Sequence, residues 1–434
     1  MPKEEYHMER GKRSMKIIHC ADIHLASKLG TNFDKEKAKE RNAEIFESFN
    51  RMVSYAVSND VSAIIIAGDL FDTKNPAISY KVNVQKIIKA NPDIDFYYLK
   101  GNHDEAGLYS VNDTPPLNYK TFKDTWTKYV IAEEALAGED MAHDEIAKRP
   151  KRITISGMEL NESNSKKLSL GLELDAQDFN IVTLHGQLSD YKSEGKEEII
   201  NLSELKNMNI DYLALGHIHQ HRIGTLLPRG LYCYPGCLEG RGFDECEMDE
   251  GAAKNVVSID GSNGFESIAE KRIKRAAGFE QRGHGFVVLN IDEDTLELKE
   301  GSPSFVEFAK RRLFEVKTDV SSCEGSMDIN NAIEKEIEKI GADSSDILKI
   351  TLTGDYPLAE DKDEQLILKH FENDYYHVKV KDETRIKVDY NLFENDASLK
   401  GELVRLVKAD ASLDEEKKSL IIKCALDALN GGKN

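Results

Sequence analysis

Five short, nearly continuous apolar runs punctuate the first half of this chain, and each is followed at once by a polar cluster. Ile17-Ile18-His19-Cys20 leads into Asp22-Ile23-His24, and Ala63-Ile64-Ile65-Ile66-Ala67 into Gly68-Asp69-Leu70-Phe71-Asp72. Phe96-Tyr97-Tyr98-Leu99 precedes Gly101-Asn102-His103-Asp104, Ile181-Val182-Thr183-Leu184 precedes His185-Gly186, and Tyr212-Leu213-Ala214-Leu215 precedes Gly216-His217-Ile218-His219. Runs of this kind, nearly continuous rather than alternating, predict strands covered on both faces. Between the first two, Ala43, Phe46, Phe49, Met52, Val53 and Ala56 recur at helical spacing, as a crossover helix requires. The alternation predicts an α/β domain of layered sandwich type. In such sheets, sites form beyond the carboxyl ends of the strands, so the five polar clusters are expected on one rim.

The residue types in those clusters point to metal chemistry. Two carboxylates (Asp22, Asp69), one amide (Asn102) and four imidazoles (His24, His185, His217, His219) form a mixed oxygen and nitrogen donor set. It suits Mn²⁺, Fe²⁺, Zn²⁺ or Co²⁺ better than Ca²⁺, which prefers oxygen alone. Seven donors exceed one ion's needs and suit two divalent ions that share a ligand. Mn²⁺ is the first expectation, with Fe²⁺, Zn²⁺, Co²⁺ or Mg²⁺ as alternatives. Two such ions serve the hydrolysis of a phosphate ester, in which a side chain must also protonate the leaving oxygen. His103, next to Asn102, is the candidate for that proton. A lone D-x-H or G-D-x-x-D would carry no such argument; five clusters in order, each after an apolar run, do.

At 434 residues the chain is too long for one ordinary domain. Residues 1–14 read as a polar N-terminal extension, and residues 15–300 as the catalytic domain. A Gly-, Ser- and charge-rich insertion is expected at 247–282. Residues 301–392 read as a smaller α+β domain. Here Leu313–Val316 and Ile347–Leu352 suggest strands and Ile329, Ile333, Ile337 and Ile340 mark a helix face. Residues 393–434 read as a C-terminal helical arm, with Ser412 to Glu415 as a capping box.

Net charge is −20, which gives no counterion-release term for unaided binding to DNA. Basic runs exist at residues 148–152, 271–275 and 310–312, and most runs of this sort are solvated faces. No apolar run approaches the roughly 20 residues of a membrane span, and the first residues lack a signal-peptide core. No membrane partner is expected, and a cytoplasmic protein with reduced cysteines is.

The ordered set D-x-H, G-D-x-x-D, G-N-H-D, H-G and G-H-x-H resembles the calcineurin-like metallophosphoesterases. That resemblance implies a four-layer α/β/β/α sandwich. It also implies one metal on Asp22, His24, Asp69 and His219, and a second on Asp69, Asn102, His185 and His217, with Asp69 as the bridge. In phosphatase members the last carboxylate of G-D-x-x-D pairs with the histidine of G-N-H, which implies that Asp72 orients His103 as a second catalytic residue. Asp72 is followed by Thr73-Lys74 and not Arg-Gly, which disfavours the protein phosphatases. The G-D-L-F-D opening, the Tyr234-Pro235-Gly236 turn, the Leu238–Cys246 segment and the later α+β unit are similar to the SbcD-type, YhaO-like DNA repair exonuclease subunits. This implies DNA as substrate, a capping domain over the cleft, an SbcC-like coiled-coil ATPase as partner, and a loop with Tyr234 and Arg241 that shapes the substrate cleft. It leaves a homodimer open. Two rival functions remain: a phosphodiesterase or phosphatase for nucleotides or other small phosphoesters, and a catalytically silent adaptor on the same fold. The ligand set is complete, which speaks against silence.

Overall fold

The structure is a computed structural model that describes residues 14–30, 33–105, 107–110, 112–133, 151–189, 199–246, 283–357, 364–388 and 390–429. The insertion expected at 247–282, the N-terminal extension up to residue 13 and the basic run at 271–275 lie outside the described residues. The chain divides into a first unit ending at Lys310 and a second beginning at Arg311.

The five apolar runs are strands of two sheets. In the first sheet, β1 (Ser14–Cys20), β2 (Val61–Ala67), β3 (Asp95–Leu99) and β4 (Tyr119–Thr121) run parallel. The second sheet holds β5 (Thr127–Glu133), β6 (Arg152–Gly157) and β7 (Phe179–His185). A short pair, β8 (Gln187–Leu188) and β9 (Ile199–Ile200), stands apart. β10 (Tyr212–Gly216), β11 (Arg222–Leu226) and β12 (Gly230–Tyr234) complete the second sheet in the order β11-β12-β10-β7-β6-β5. β13 (Gly285–Asp292) returns antiparallel to β1 and carries β14 (Glu297–Leu298) and β15 (Ser304–Glu307). Because β15 pairs with β13, residues 301–310 belong to the first unit and not, as expected, to the second domain.

The sheets pack face to face. Ile17, Ala63, Ile65, Tyr97, Val287 and Leu289 of the first share one buried cluster with Ile153, Ile155, Phe179, Ile181, Tyr212 and Leu231 of the second. Alternate residues of the same strands, Ile18, Ile64 and Ile66, are equally buried, so continuous apolar runs are what two covered faces demand. The crossover helix α1 (Lys35–Ser58) starts at Asp34, whose carboxylate accepts the Glu36 and Lys37 N–H groups at 2.9 Å each. It buries Ile45, Phe49, Met52, Val53 and Ala56. α2 (Ile78–Ala90) connects β2 to β3. On the far side of the second sheet, Val182, Leu184, Leu213 and Leu215 are covered by Leu168, Leu172 and the one-turn helix α3 (Leu202–Leu205). Among the described residues, the fourth layer of this mixed α/β sandwich is therefore mostly irregular chain.

The second unit has a parallel sheet of β16 (Leu313–Asp319), β17 (Ile347–Thr353) and β19 (His377–Asp382), with the pair β18 (Asp355–Pro357) and β20 (Arg385–Lys387) beside it in sequence. α4 (Ser326–Ile340) and α5 (Glu364–Phe371) cover it through Ile329, Ile333, Ile337, Ile367 and Phe371. The tail is two helices, α6 (Leu399–Ala409) and α7 (Glu415–Leu429). The expected capping box at Ser412 does not form. Ser412 bonds back to Asp410, and Asp414 accepts the Lys417 N–H at 2.8 Å, because the chain turns two residues later than the motif suggests. Among the described residues no helix is long and apolar enough to cross a membrane.

Candidate metal centre

β1, β2 and β3 are adjacent and in register, and so are β7 and β10, so all five polar clusters leave at one edge of the sandwich. The first two loops continue to pair beyond their strands. The N–H groups of Asp22, His24 and Leu25 donate to the carbonyls of Gly68, Asp69 and Leu70 at 2.9–3.0 Å. Nine described non-glycine residues have positive φ, and Asp22, His24, Asp69 and His217 are four of them. Such backbone costs about 1–3 kcal/mol per residue and persists where surrounding structure dictates it, commonly at functional sites.

Two glycines make the convergence sterically possible. A Cβ on Gly216 would lie 1.9 Å from the Ala67 carbonyl oxygen, and one on Gly68 would lie 2.0 Å from His185 Nδ1. The first contact sets a strand of the second sheet directly against one of the first at the rim. We expect Gly216→Ala to destabilise the protein by about 3 kcal/mol or more, the upper end for overpacking. A thermal melt that matches wild type would contradict this close approach.

Three imidazoles present Nε2 to the centre and rest their Nδ1 on an oxygen behind. His185 Nδ1 bonds the Ala67 carbonyl at 2.9 Å, His219 Nδ1 bonds Glu245 at 2.6 Å, and His24 Nδ1 lies 3.1 Å from Asp72. Oxygens of this kind fix the tautomer of metal-binding histidines. With a proton on each Nδ1, the Nε2 atoms of His24 and His219 are both acceptors, yet they face each other at 3.1 Å. A cation between them would satisfy both lone pairs. Asp69 Oδ2 lies 3.7 Å from His24 Nε2 and 3.4 Å from His185 Nε2, between the two groups. Asp22, His24 and His219 form one cluster tight enough to hold an ion, and Asp22, Asp69 and His185 a second. The residues present thus fit a pair of divalent ions, as the donor types do.

Burial and crowding perturb these groups strongly. Burial raises the Asp22 carboxyl to about 6, and the charge of Asp69 adds to the rise. Burial alone would lower His185, but the charges of Asp69 and Asp22 and the Asp69 bond carry it up to about 10. Burial lowers His24 to about 4. Asp22 and His185 hold their protons more tightly than free side chains do in part because anionic charge is packed around one point, and a bound cation would relieve that same excess.

The other expected residues are placed as follows. Asn102 Oδ1 is 3.0 Å from His185 Nε2. The His217 ring stands edge-on to His185 with centroids 5.5 Å apart, and the His217 main-chain N–H donates to both Asp22 oxygens at 3.0 Å. His103 is 43% exposed at the mouth, and its N–H donates to Asp69 Oδ1 at 3.0 Å. Two expectations need correction. Asp72 Oδ1 is 4.0 Å from His103 Nδ1, beyond a hydrogen bond, and nearer to His24; Ser27, Lys28 N–H and Arg241 also engage it. Tyr234 lines no cleft: it is fully buried, donating to the Gly186 carbonyl at 2.9 Å and accepting from Leu188 N–H at 3.1 Å, so it supports the turn behind His185. Arg241 does face the site, but its guanidinium is occupied by Asp72, Glu245 and His219.

Two supporting carboxylates were not singled out from the sequence. Glu245, which holds His219, is 26 residues away in an irregular loop and has no local signal. Asp104, the last residue of G-N-H-D, accepts the N–H groups of Leu70, Phe71 and Gly101 and ties the second loop to the third. Its place in the motif was the available clue.

The family model for calcineurin-like phosphoesterases matches residues 15–221. The uncharacterized metallophosphoesterase YhaO of Bacillus subtilis is 26% identical over 299 residues, covering 66% of this chain and 69% of that protein. A DNA double-strand break repair protein Mre11 from Sulfolobus acidocaldarius is 22% identical over 420 residues, 94% of each chain. The Mre11 of Thermoplasma acidophilum is 26% identical over 275 residues, 59% of this chain and 65% of its own. Residues 15–221, which supply every residue of the donor set, belong to the calcineurin-like metallophosphoesterases.

Proposed function

We propose that the chain is the nuclease subunit of a DNA repair complex, a Mn²⁺-dependent cytoplasmic exo- or endonuclease that hydrolyses phosphodiester bonds with two metal ions. The observation that carries the hydrolytic reading is the facing pair of imidazole Nε2 atoms, 3.1 Å apart, with Asp22 and Asp69 beside them. In this reading Asp22, His24, Asp69 and His219 hold one ion and Asp69, Asn102, His185 and His217 the other. When bound, the ions supply charge stabilisation and a nucleophile at neutral pH. His103, half-exposed at the mouth and fixed through its N–H to Asp69, gives a proton to the leaving oxygen. Asp72 acts mainly behind His24.

DNA as the substrate is supported by the similarity to a DNA double-strand break repair protein over 94% of both chains, which runs past the phosphoesterase domain into the second unit. We assign residues of that unit up to 392 as a capping domain and residues 393–434 as an arm for an SbcC-like ATPase. The arm buries Val404, Ile422 and Leu426 in a small core and leaves Leu399, Leu406, Leu420 and Ile421 exposed. Apolar residues on a second face suit a partner helix. An ATPase that supplies phosphate contacts would also reconcile a net charge of −20 with a DNA substrate.

The rival reading, hydrolysis of small phosphoesters, is favoured by that charge and by the run at 310–312. Lys310 is paired with Glu44 and Glu47, Arg311 lies over Tyr376, and Arg312 is paired with Asp346. The test compares linear duplex DNA, a phosphodiester reporter and a phosphomonoester reporter, with Mn²⁺ against Mg²⁺, with and without co-expressed ATPase. Expected is Mn²⁺-dependent cleavage of DNA and the diester; preference for the monoester refutes the nuclease reading.

A further inference from the structure

We propose that Arg241 and Glu245 are positioning residues that brace one of the two metal sites, so that its ion is held more tightly than the other. The proposal rests on the two-metal reading above. Behind His219, Glu245 Oε1 lies 2.6 Å from Nδ1; behind His24, Asp72 Oδ1 lies 3.1 Å from Nδ1. One guanidinium joins these two carboxylates, with Arg241 Nη1 donating to Asp72 at 2.8 Å and Nη2 to Glu245 at 3.0 Å. Glu245 Oε2 accepts the N–H of Arg241 itself at 2.6 Å, and Ser27 Oγ–H donates to Asp72 Oδ2 at 2.8 Å. Glu245 is 5% exposed and Arg241 14%, so the trio works in a medium where such bonds are strong.

The loop that carries both residues is itself anchored. Glu239 is fully buried, accepting Ser48 Oγ–H at 2.6 Å and Arg41 Nη2 at 3.0 Å, and Arg41 also donates to the Gly240 carbonyl at 2.9 Å. The site around His185 is built differently. A peptide carbonyl, that of Ala67, stands behind its imidazole, and Asn102 is exposed. A carboxylate behind a ligating histidine raises its basicity and locks its orientation more than a neutral carbonyl does. The brace therefore makes the pair unequal: the His24 and His219 site is rigid and strongly donating, and the His185 site is weaker.

Arg241 distinguishes positioning from simple electrostatics. Its charge opposes a nearby cation, so removing it should tighten binding if charge alone matters. If it holds the two carboxylates in place, removing it should weaken binding. The experiment is Mn²⁺ calorimetry on the full chain stripped with chelator, with folding checked by circular dichroism, for wild type, Glu245→Gln, Arg241→Met and Asp72→Asn. Expected are two classes of site in wild type, with the tighter one weakened about 10- to 100-fold in each variant. His185→Ala should remove the weaker class alone. Asp72→Asn, at the more exposed end of the brace, keeps the test decisive if a buried variant does not fold. Two equal classes in wild type, an unchanged tight class in the variants, or tighter binding in Arg241→Met would each overturn the brace. A wild-type chain that binds no transition metal would instead sink the two-metal reading beneath it.

Discussion

Replacing Asp69 with asparagine is expected to abolish metal-dependent hydrolysis. The change is small in shape. Asparagine tolerates the left-handed backbone that Asp69 adopts at φ 51°, and its amide oxygen can still accept the His103 N–H. What disappears is a charge placed between His24 and His185, 3.7 Å from His24 Nε2 and 3.4 Å from His185 Nε2. Losing the ions forfeits several kcal/mol of charge stabilisation, a rate loss of about 10³-fold or more. The metal-free variant should fold as well as wild type or better, because Asp69 is one of the charges that push Asp22 up to about 6. Mn²⁺-dependent turnover, metal content per chain and a melt of the stripped protein check the three parts. Turnover within about tenfold of wild type would remove Asp69 from the centre.

How much of this was legible in the sequence depends on how local each signal is. The strands at Ile17, Ala63, Phe96, Ile181 and Tyr212 could be read because a strand buried on both faces is apolar at nearly every position, and their loops because only Gly fits at 68 and 216. The donor set was local too, each group lying within a few residues of a strand end. Glu245, however, reaches His219 only because Cys237 N–H bonds the His219 carbonyl and folds the following loop back over the site. Nothing in the spacing of residues 238–246 encodes that fold-back, so Arg241 read as a substrate contact when its guanidinium is spent on carboxylates. Tyr234 misled for a related reason: a tyrosine beside a turn near the metal histidines looks like a cleft residue until the chain behind His185 supplies partners for its hydroxyl. The boundary at Lys310 depended on β15 crossing back to β13, a long-range pairing that composition does not show.

His103→Ala is expected to spare the metals and the fold while removing most of the rate. The side chain is 43% exposed and packs edge-on against His24 with ring centroids 5.2 Å apart, so its loss leaves no buried cavity. The loop is held through its main chain, by His103 N–H on Asp69, and this bond survives the substitution. A proton donor of this kind contributes about 10²–10⁴-fold, and it does so in proportion to how badly the leaving oxygen needs a proton. The loss should therefore be large on DNA, whose leaving group is a sugar alkoxide, and small on a nitrophenyl phosphodiester, whose leaving group departs as a stable anion. Asp72→Asn should behave differently, since Asp72 stands 3.1 Å from His24 and 4.0 Å from His103. It should reduce both reactions together and weaken metal binding. Equal losses on both substrates in His103→Ala would mean that His103 orients the phosphate and that the proton comes from elsewhere. A metal deficit in that variant would place His103 among the ligands instead.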